Sequence, residues 1–482
     1  MSLLPFLLIC LAAGCAGLAL RRQPRLMIAI GLGGLLLATF AAIVISPGDV
    51  LRLGSGEVLV ATGYGRLFVL LGSGSGLVLC LVALSTTWQS NLPSALLLGL
   101  AGIGLGLALP DPLVALLVLL GTAAVAALVC LDASATAADV RVVVRQVRLV
   151  VLAGLLAFVA VAWAAPALSG IGSDPAAFGL ADLAIVLAVG IRFGAIPFHR
   201  PVGQLTNTAP SLAIPLLLVW GPAALAVVAL GATDGSVLPL LVPDGLGQAL
   251  IVMAAMASLF FGAVGAWLQD DLEHVVGYSI VQDAGFVLLG LAVGGPLAHQ
   301  PARLWLLILI AAKTAFAAWA TVVQARFRTG RLPDLRGWAR RSPLLAIGLA
   351  GIALATIGVP GLLAWSVRTA LVQGATGGPL QVVLVIGGLA SLAYYGRLAL
   401  IGAGRQGVLV GAAPTDRPVA VARADSALRT VRTGWFTNRA PIAAGLVLVL
   451  VAVSVLVSAG GLGGPAAAQA AAPEPSPAAI GQ

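Results

Sequence analysis

Residues 181–200 read ADLAIVLAVGIRFGAIPFHR, an apolar run that also contains Arg192 and Pro197. About 20 apolar residues cross the ~30 Å hydrocarbon core of a bilayer as a helix. A proline interrupts helical hydrogen bonding, and a broken helix is tolerated in a membrane only where protein buries the freed backbone or where it lines a wet cavity. A charge near the bilayer centre costs at least about 2.5 kcal/mol. This stretch therefore predicts a broken membrane span that carries a charge.

The composition of the whole chain is that of a membrane protein. Of its 482 residues, 60% are hydrophobic and 9% are charged, whereas soluble domains carry roughly a quarter charged residues. Its apolar runs have about 18 to 25 residues, longer than the roughly ten-residue strands of membrane barrels. We therefore predict an all-α, polytopic membrane protein with about fourteen spans, numbered here in chain order: 3–20, 25–46, 64–84, 92–109, 111–131, 147–168, 181–200, 208–230, 246–268, 273–294, 301–323, 343–372, 379–403 and 441–460.

The four cysteines do not indicate a cofactor. All of them lie inside apolar runs, without CxxC spacing or neighbouring histidines. Neither a disulfide framework nor a zinc or iron–sulfur site is therefore indicated. We expect them to be packing residues, and we expect no cofactor, no metal and no catalytic residue in this chain.

The arginines indicate how the chain is oriented. With the amino terminus outside, the cytoplasmic loops contain 19 arginines and the opposite loops contain three, Arg52, Arg66 and Arg303. This asymmetry predicts an even number of spans, both termini on the non-cytoplasmic side, and a multi-pass protein of the cell (plasma) membrane. It also accounts for the net charge of +9 without nucleic acid as a partner.

A second interrupted span suggests an internal repeat. Span 12 contains Pro360 and then Arg368, so a break and a buried arginine recur five spans after span 7. We predict two inverted five-helix repeats, at 92–230 and 246–403, with coincidence as the alternative. Two further prolines, Pro215 and Pro222, predict that span 8 is also broken in mid-membrane.

Three further regions lie outside the predicted repeats. Residues 1–91 contain the first three spans, and 404–460 contain a basic cytoplasmic loop and the last span. The arginines of that loop favour either a helix along the membrane surface or a plain basic loop. The Ala/Pro-rich tail, 461–482, is expected to be disordered.

Several ionisable residues lie inside predicted spans, where such residues usually serve ion or proton conduction. Lys313 is the only lysine in the chain, and Asp283 lies in the preceding span. A buried Lys–Asp pair can carry protons or can simply hold two helices together. Arginine keeps its charge in proteins, whereas a buried lysine loses its proton readily. Deprotonation is therefore open to Lys313 but not to Arg192 or Arg368.

Four stretches carry a resemblance to a known family. Residues 192–199 read RFGAIPFH and precede an Ala-Pro pair at 209–210; later stretches read QDDLEHVVGYS (269–279), DLRGWARRSP (334–343) and SLAYYGR (391–397). In order and spacing they resemble the motifs of the antiporter-like membrane subunits of respiratory complex I, most of all the subunit N type of NADH-quinone oxidoreductase. The chain is also similar to the related subunits of Mrp antiporters and membrane-bound hydrogenases.

The resemblance implies fourteen spans, two inverted repeats, and a membrane-arm subunit that takes part in redox-coupled proton translocation while other subunits hold the redox centres. The implied partners are other membrane subunits of a complex I-like assembly, the lipid bilayer, and quinone within the assembly. Two alternatives stay open. One is a structural subunit of such a complex with a degenerate proton path, and the other is a cation/proton antiporter or membrane-hydrogenase subunit.

The departures from the family fall where its members move protons. Arg192 stands where the family has a lysine, and Pro222 where relatives have a second lysine. Residues 117–121 are apolar where the family has a glutamate that pairs with the first lysine. A histidine at the end of a span can pass protons or be structural. The candidates for a proton path are Arg192, Lys313 and Arg368 along the midline, Asp283 as a counter-charge and His199 at one mouth.

Overall fold

The computed structural model describes residues 2–53, 56–86, 91–130, 137–167, 175–209, 211–233, 245–293, 296–404 and 439–461. Within them, ten helices are long and apolar enough to cross a bilayer, and three apolar helices are shorter. The predicted basic loop after residue 404 and the predicted disordered tail beyond residue 461 lie outside the described residues.

The first three spans are continuous helices: α1 (Leu3–Ala19), α2 (Pro24–Val44) and α3 (Gly63–Ser85). Between α2 and α3 the chain forms an antiparallel hairpin of β1 (Val50–Leu53) and β2 (Gly56–Val60). An ion pair of 3.0 Å between Arg52 Nη2 and Glu57 Oε1 joins the two strands. Hydropathy did not predict this hairpin, because it lies between spans.

Spans 4 to 8 follow, and the largest difference from the predicted bounds is the ten-residue earlier start of span 6. Its first turns carry three arginines, so charged helix extends beyond the apolar run that hydropathy detects. Span 7 is divided into two helices, as predicted. The helices are α4 (Leu92–Ala108), α5 (Pro112–Val129), α6 (Ala137–Ala167), α7 (Pro175–Phe193), α8 (Arg200–Thr208) and α9 (Gly221–Thr233).

The prediction of a break in span 8 is wrong. A 3₁₀ turn at Ser211–Ala213 leads into a π-helix, Pro215–Trp220, and then directly into α9. The wider π-helical turn accommodates Pro215 and Pro222 without parting the helix. Trp220 is completely buried at the end of the π-helix.

Spans 9 to 14 are built around one long, central helix. That helix is α12. Within its stretch from His299 to Phe327, every residue of the segment that would cross the membrane is buried. The helices are α10 (Gly245–Leu268), α11 (Leu272–Leu291), α12 (Pro296–Phe327), the short α13 (Trp338–Arg341), α14 (Pro343–Ile357), α15 (Leu363–Ala375), α16 (Pro379–Leu389), α17 (Ser391–Ala403) and α18 (Arg439–Ser458).

Spans 7 and 12 are both interrupted, and each break contains a glycine with positive φ. Gly194 follows α7 with a φ of +66°, and Gly358 follows α14 with a φ of +69°. Both interruptions thus have the same kind of turn, and the inverted repeat of five spans stays a prediction. The ten membrane-length helices and three shorter apolar helices of the described residues confirm the prediction of an all-α polytopic fold.

Candidate functional site

A lysine and an aspartate pair in the middle of the molecule. Lys313 Nζ on α12 lies 2.5 Å from Asp283 Oδ2 on α11, and both side chains are buried. Lys313 Nζ also donates a hydrogen bond of 3.1 Å to Ser279 Oγ. Ser279 and Asp283 are four residues apart, so they lie on the same face of α11, toward α12. The single lysine of the chain is therefore held by two groups of one neighbouring helix.

Arg368 on α15 holds the broken span 12 together. Its Nη1 donates to the carbonyl oxygen of Thr356 at 3.0 Å and also to that of Ile357. These carbonyls belong to the last turn of α14, where a helix has no backbone partners of its own. A cation at a helix carboxyl end is also favoured by the helix dipole. The guanidinium thus takes the place of the hydrogen bonds that the break removes.

Aromatic rings place Arg368 beside the Lys313–Asp283 pair. The guanidinium carbon lies 4.4 Å from the ring centre of Phe286 and 5.7 Å from that of Trp305. Trp305 Nε1 in turn donates a hydrogen bond of 3.2 Å to the backbone oxygen of Asp283. Arg368 and Asp283 interact electrostatically. Arg368 is therefore a second cation near the carboxylate that pairs with Lys313.

Two tyrosines of α17 close this cluster. Tyr395 Oη lies 3.0 Å from Thr356 Oγ1, next to the carbonyl that Arg368 binds. The rings of Tyr394 and Tyr395 are 4.5 Å apart, and the buried Tyr394 hydroxyl has no hydrogen-bond partner in the described part of the chain. The sequence showed these tyrosines only as part of a motif, because their partners are distant in sequence.

Arg192 lies apart from the cluster, in the last turn of α7. It is buried and forms no ion pair or hydrogen bond within the described ranges. It lines a cavity of about 20 Å³ together with Thr122 and Gln146, which is room for about one water molecule. Within the apolar run 117–121 of span 5, Leu119 lines the cavity, while Leu117 is 50% exposed. Position 119 is therefore the place in this run where an acidic side chain would face Arg192.

The break in span 7 is held by a side chain of α10. The backbone N–H of Ile196 donates a hydrogen bond of 3.0 Å to Ser258 Oγ. His199 follows the break, and its Nδ1 is buried without a hydrogen-bond partner among the described residues. Its ring centre lies 6.3 Å from that of Tyr278, which directly precedes Ser279. His199 is therefore next to Tyr278, one residue before the Ser279 that binds Lys313.

The start of α11 carries further ionisable residues next to α8 and span 8. Glu273 Oε1 accepts a hydrogen bond of 2.5 Å from Ser211 Oγ. His274 Nε2 lies 3.2 Å from the backbone oxygen of Gly203. These two residues replace basic residues of the family motif, and they connect α11 to the segment that follows the break in span 7.

The structure contains one buried acid that the sequence analysis overlooked. Asp182 on α7 is 2% exposed, and its Oδ2 has no hydrogen-bond partner among the residues described. It lies in the run 181–200, where a carboxylate within an apolar stretch is the signal that could have identified it.

Arg397, at the end of span 13, clamps the turn between α10 and α11. Its Nη2 lies 2.9 Å from Asp270 Oδ1, and its Nη1 donates to the backbone oxygens of Gln269, at 2.5 Å, and of Trp267. Its role is therefore to hold this turn at the membrane boundary. Across the described ranges no three His, Cys, Asp or Glu residues are grouped so that they could hold a metal ion.

These features define a class of protein. The chain is a polytopic helical membrane protein with two interrupted spans and buried charges, an architecture typical of ion-translocating membrane proteins. Residues 123–393, more than half of the chain, match the family model described as NADH:quinone oxidoreductase/Mrp antiporter, TM. The chain therefore belongs to the family of membrane subunits found in NADH:quinone oxidoreductases and Mrp antiporters, which confirms the resemblance seen in its motifs.

Curated relatives are subunits of the same kind. NADH-quinone oxidoreductase subunit N of Halorhodospira halophila is 26% identical over 240 residues, which are 48% of this chain and 48% of the relative. Subunit N 1 of Streptomyces griseus is 33% identical over 233 residues, 47% of this chain and 48% of the relative. The chain thus spans about half the length of the curated relatives it matches.

Solved structures share the fold over nearly the whole chain. A chain of the archaeal membrane-bound sulfane sulfur reductase, a respiratory membrane complex, matches with a TM-score of 0.73 and 17% identity over 95% of this chain and 76% of that chain. A chain of Thermus thermophilus respiratory complex I with bound NADH matches with a TM-score of 0.70 and 21% identity, over 93% of this chain and 100% of that chain. A chain of the Mrp complex of a Dietzia species matches with a TM-score of 0.70 and 18% identity, over 98% of this chain and 96% of that chain.

Proposed function

We propose that this chain is a membrane-arm subunit of an NADH-quinone oxidoreductase-like complex and takes part in redox-coupled proton translocation. The observation that carries the proposal is the buried contact between Lys313 and Asp283. A lysine kept in the interior of a bundle is a group that can release and regain a proton. The family and the fold supply the context for this chemistry.

A carboxylate paired with one cation and lying near a second suggests how the site works. While Asp283 faces Lys313, the ammonium group is stabilised and the proton stays on Nζ. When Asp283 turns instead toward Arg368, the lysine loses its counter-charge, and its burial favours the neutral amine. The proton then passes from Nζ to the next group along the path, whereas Arg368 stays charged and takes no part in the transfer. Movement of one carboxylate between two cations thus controls one proton.

His199 and Tyr278 would connect this site to one mouth of the path. Their rings are neighbours, and Tyr278 is adjacent in sequence to the Ser279 that binds Lys313. Arg192 has no part in a relay by deprotonation. Its charge is fixed and has no ion-pair partner among the described residues, so it would change the electrostatic potential inside the helix bundle.

The test uses the reconstituted complex and measures proton uptake per quinone reduced. We expect Lys313→Ala and Lys313→Arg both to lower this ratio, because the second variant keeps a charge but does not release a proton. Arg52→Ala, in the hairpin, is the control and should leave the ratio unchanged. A normal ratio in Lys313→Ala, together with normal assembly, would exclude Lys313 as a carrier.

A second candidate is a structural subunit whose proton path is degenerate. The unpaired Arg192 and the apolar position 119 favour it, since the family's acid–base pair is incomplete there. Under that function, variants of Lys313 would alter assembly and leave the proton ratio intact. A cation/proton antiporter or hydrogenase subunit is the third candidate, and the incomplete pair also counts against it.

We propose the following setting for the chain. Its partners are other membrane subunits, with quinone bound elsewhere in the assembly, and both termini face the non-cytoplasmic side of the plasma membrane. The repeats run from 92 to 230 and from 246 to 403. Labelling of a cysteine introduced in the hairpin by a membrane-impermeant reagent on intact cells tests the orientation, and protection of that cysteine would contradict it.

A further inference from the structure

A large apolar groove lies between the first three spans and the last one. It has a volume of about 320 Å³ and is formed by residues of α2, α3, α12, α15 and α18. Its walls are aliphatic, with Leu67, Leu71 and Val78 on α3 facing Leu304 on α12 and Val453 on α18. An empty groove of this size would leave its lining without van der Waals partners inside the bilayer.

The length and position of the groove match one leaflet of a membrane. From Leu67 to Val78 it follows α3 for eleven residues, which is about 16 Å of helix. That is about half of the ~30 Å hydrocarbon core. The groove begins at Leu67, four residues from the end of α3 at Gly63, and extends just past the middle of the helix to Val78. A single acyl chain entering from this side would fill it.

A basic side chain stands at the open end of this half. Arg66 precedes Leu67, and its Nη2 donates a hydrogen bond of 2.9 Å to the backbone oxygen of Ile43. Ile43 lies one turn beyond Thr39, which lines the groove on α2. The acidic residues of the adjoining hairpin segment are already engaged, Asp49 with Ser2 and Glu57 with Arg52. Arg66 is therefore placed to bind an anion at the membrane surface.

We propose that the groove binds an anionic phospholipid, with one acyl chain between α3 and α18 and the phosphate at Arg66. The lipid would fill the interface between the N-terminal spans and the last span. It would also seal the side of α12 that bears Leu304, whereas the neighbouring Trp305 faces the buried charge cluster. This proposal is independent of whether Lys313 carries protons.

The test is photolabelling of the full-length chain in phosphatidylcholine vesicles that contain phosphatidylglycerol with a diazirine on its acyl chain. We expect mass spectrometry to find the label on groove residues of α3 and α18. Gly74→Phe should abolish this label, because Gly74 faces the groove with only Thr39 Cγ2 near its Cβ position, at 3.9 Å. Gly33→Phe is the matched control, since a Cβ at Gly33 meets nothing within 4 Å.

The charge of the headgroup is tested separately. Arg66→Gln should lower labelling by phosphatidylglycerol about fivefold, the effect of one basic residue near a membrane surface, and Arg52→Gln should not. Leu70→Trp is a second blocking variant if Gly74→Phe does not accumulate. Label spread evenly over the lipid-facing helices would overturn the proposal. So would equal labelling by phosphatidylcholine, or competition by a neutral quinone but not by unlabelled phosphatidylglycerol.

Discussion

Lys313 Nζ lies 2.5 Å from Asp283 Oδ2, where the Lys313 side chain is fully buried and the Asp283 side chain is 4% exposed. Arg368 also interacts electrostatically with Asp283. Each of the three charges can be removed by a single substitution, so the consequences of this arrangement can be tested by mutation.

Removing the carboxylate should be the most damaging change in the chain. In Asp283→Asn two buried cations lose their counter-charge, and breaking a buried pair from one side costs about 3–5 kcal/mol. Thermal unfolding of the purified chain in detergent should show a clearly lower Tm. Asp270→Asn, which removes the partly exposed partner of Arg397, should have a much smaller effect, and equal losses for both variants would contradict this account.

Arg368 should be replaceable only in part by lysine. Its contacts are two carbonyls and the face of Phe286. Arg368→Gln loses charge-assisted hydrogen bonds worth about 1.5–3 kcal/mol each. Arg368→Lys keeps the charge but loses the planar fork. We expect thermal stability to decrease in the order wild type, Arg368→Lys, Arg368→Gln. An Arg368→Gln variant as stable as the wild type would show that the break needs no cation.

An acid introduced beside Arg192 should restore the pair that this chain lacks. Leu119 lines the cavity at Arg192 and has nearly the size of glutamate. In Leu119→Glu, combined with Arg192→Leu in a double-mutant cycle, we expect a coupling energy of about 0.5–3 kcal/mol. Leu117→Glu is the control, because its exposed side chain places the charge in lipid. Zero coupling at 119 would mean that Arg192 does not reach this position.

The aqueous end of the bundle should respond to pH through Asp49. Hydrogen bonds from the side chain and the backbone N–H of Ser2 lower the pKa of Asp49. A lowered folded-state pKa means that the contact stabilises the folded state above the usual pKa of aspartate and is lost as pH falls through the lowered value.

In Ser2→Ala the pKa of Asp49 should rise toward its ordinary value. Solution NMR titration of the labelled carboxyl, or hydrogen exchange at the start of α1 as a function of pH, measures the change. An unaltered titration in Ser2→Ala would show that other groups hold the carboxylate. Glu57→Gln, in the same hairpin segment, provides the reference for a change of charge alone.

The sequence predicted the parts of the fold that depend on one-dimensional patterns. Runs of apolar residues gave the spans, and Pro197 and Pro360 located the two breaks, because proline acts on its own helix. The same reasoning wrongly predicted a break at Pro215 and Pro222, since a π-helical turn accommodates them. The hairpin at Val50–Val60 went unpredicted because its short strands lie outside the spans.

The site was predictable in its charges and not in its contacts. Asp283, Lys313 and Arg368 are conspicuous in apolar runs, and a Lys–Asp pair was one expected possibility. That Arg368 binds backbone carbonyls, and that Tyr395 meets Thr356, depends on contacts between helices. Asp182 was overlooked although it has the same sequence signal.

The bond between Arg368 and the end of α14 also bears on membrane voltage. Carrying one elementary charge through 100 mV is worth about 2.3 kcal/mol, so a shift of Arg368 across a tenth of the membrane would yield only about 0.2 kcal/mol. One charge-assisted hydrogen bond is worth about 1.5–3 kcal/mol. The resting field alone is therefore too weak to pull the two half-helices apart. A neighbouring charge that arrives within a few ångströms is strong enough, which makes this junction insensitive to voltage and responsive to its immediate neighbours.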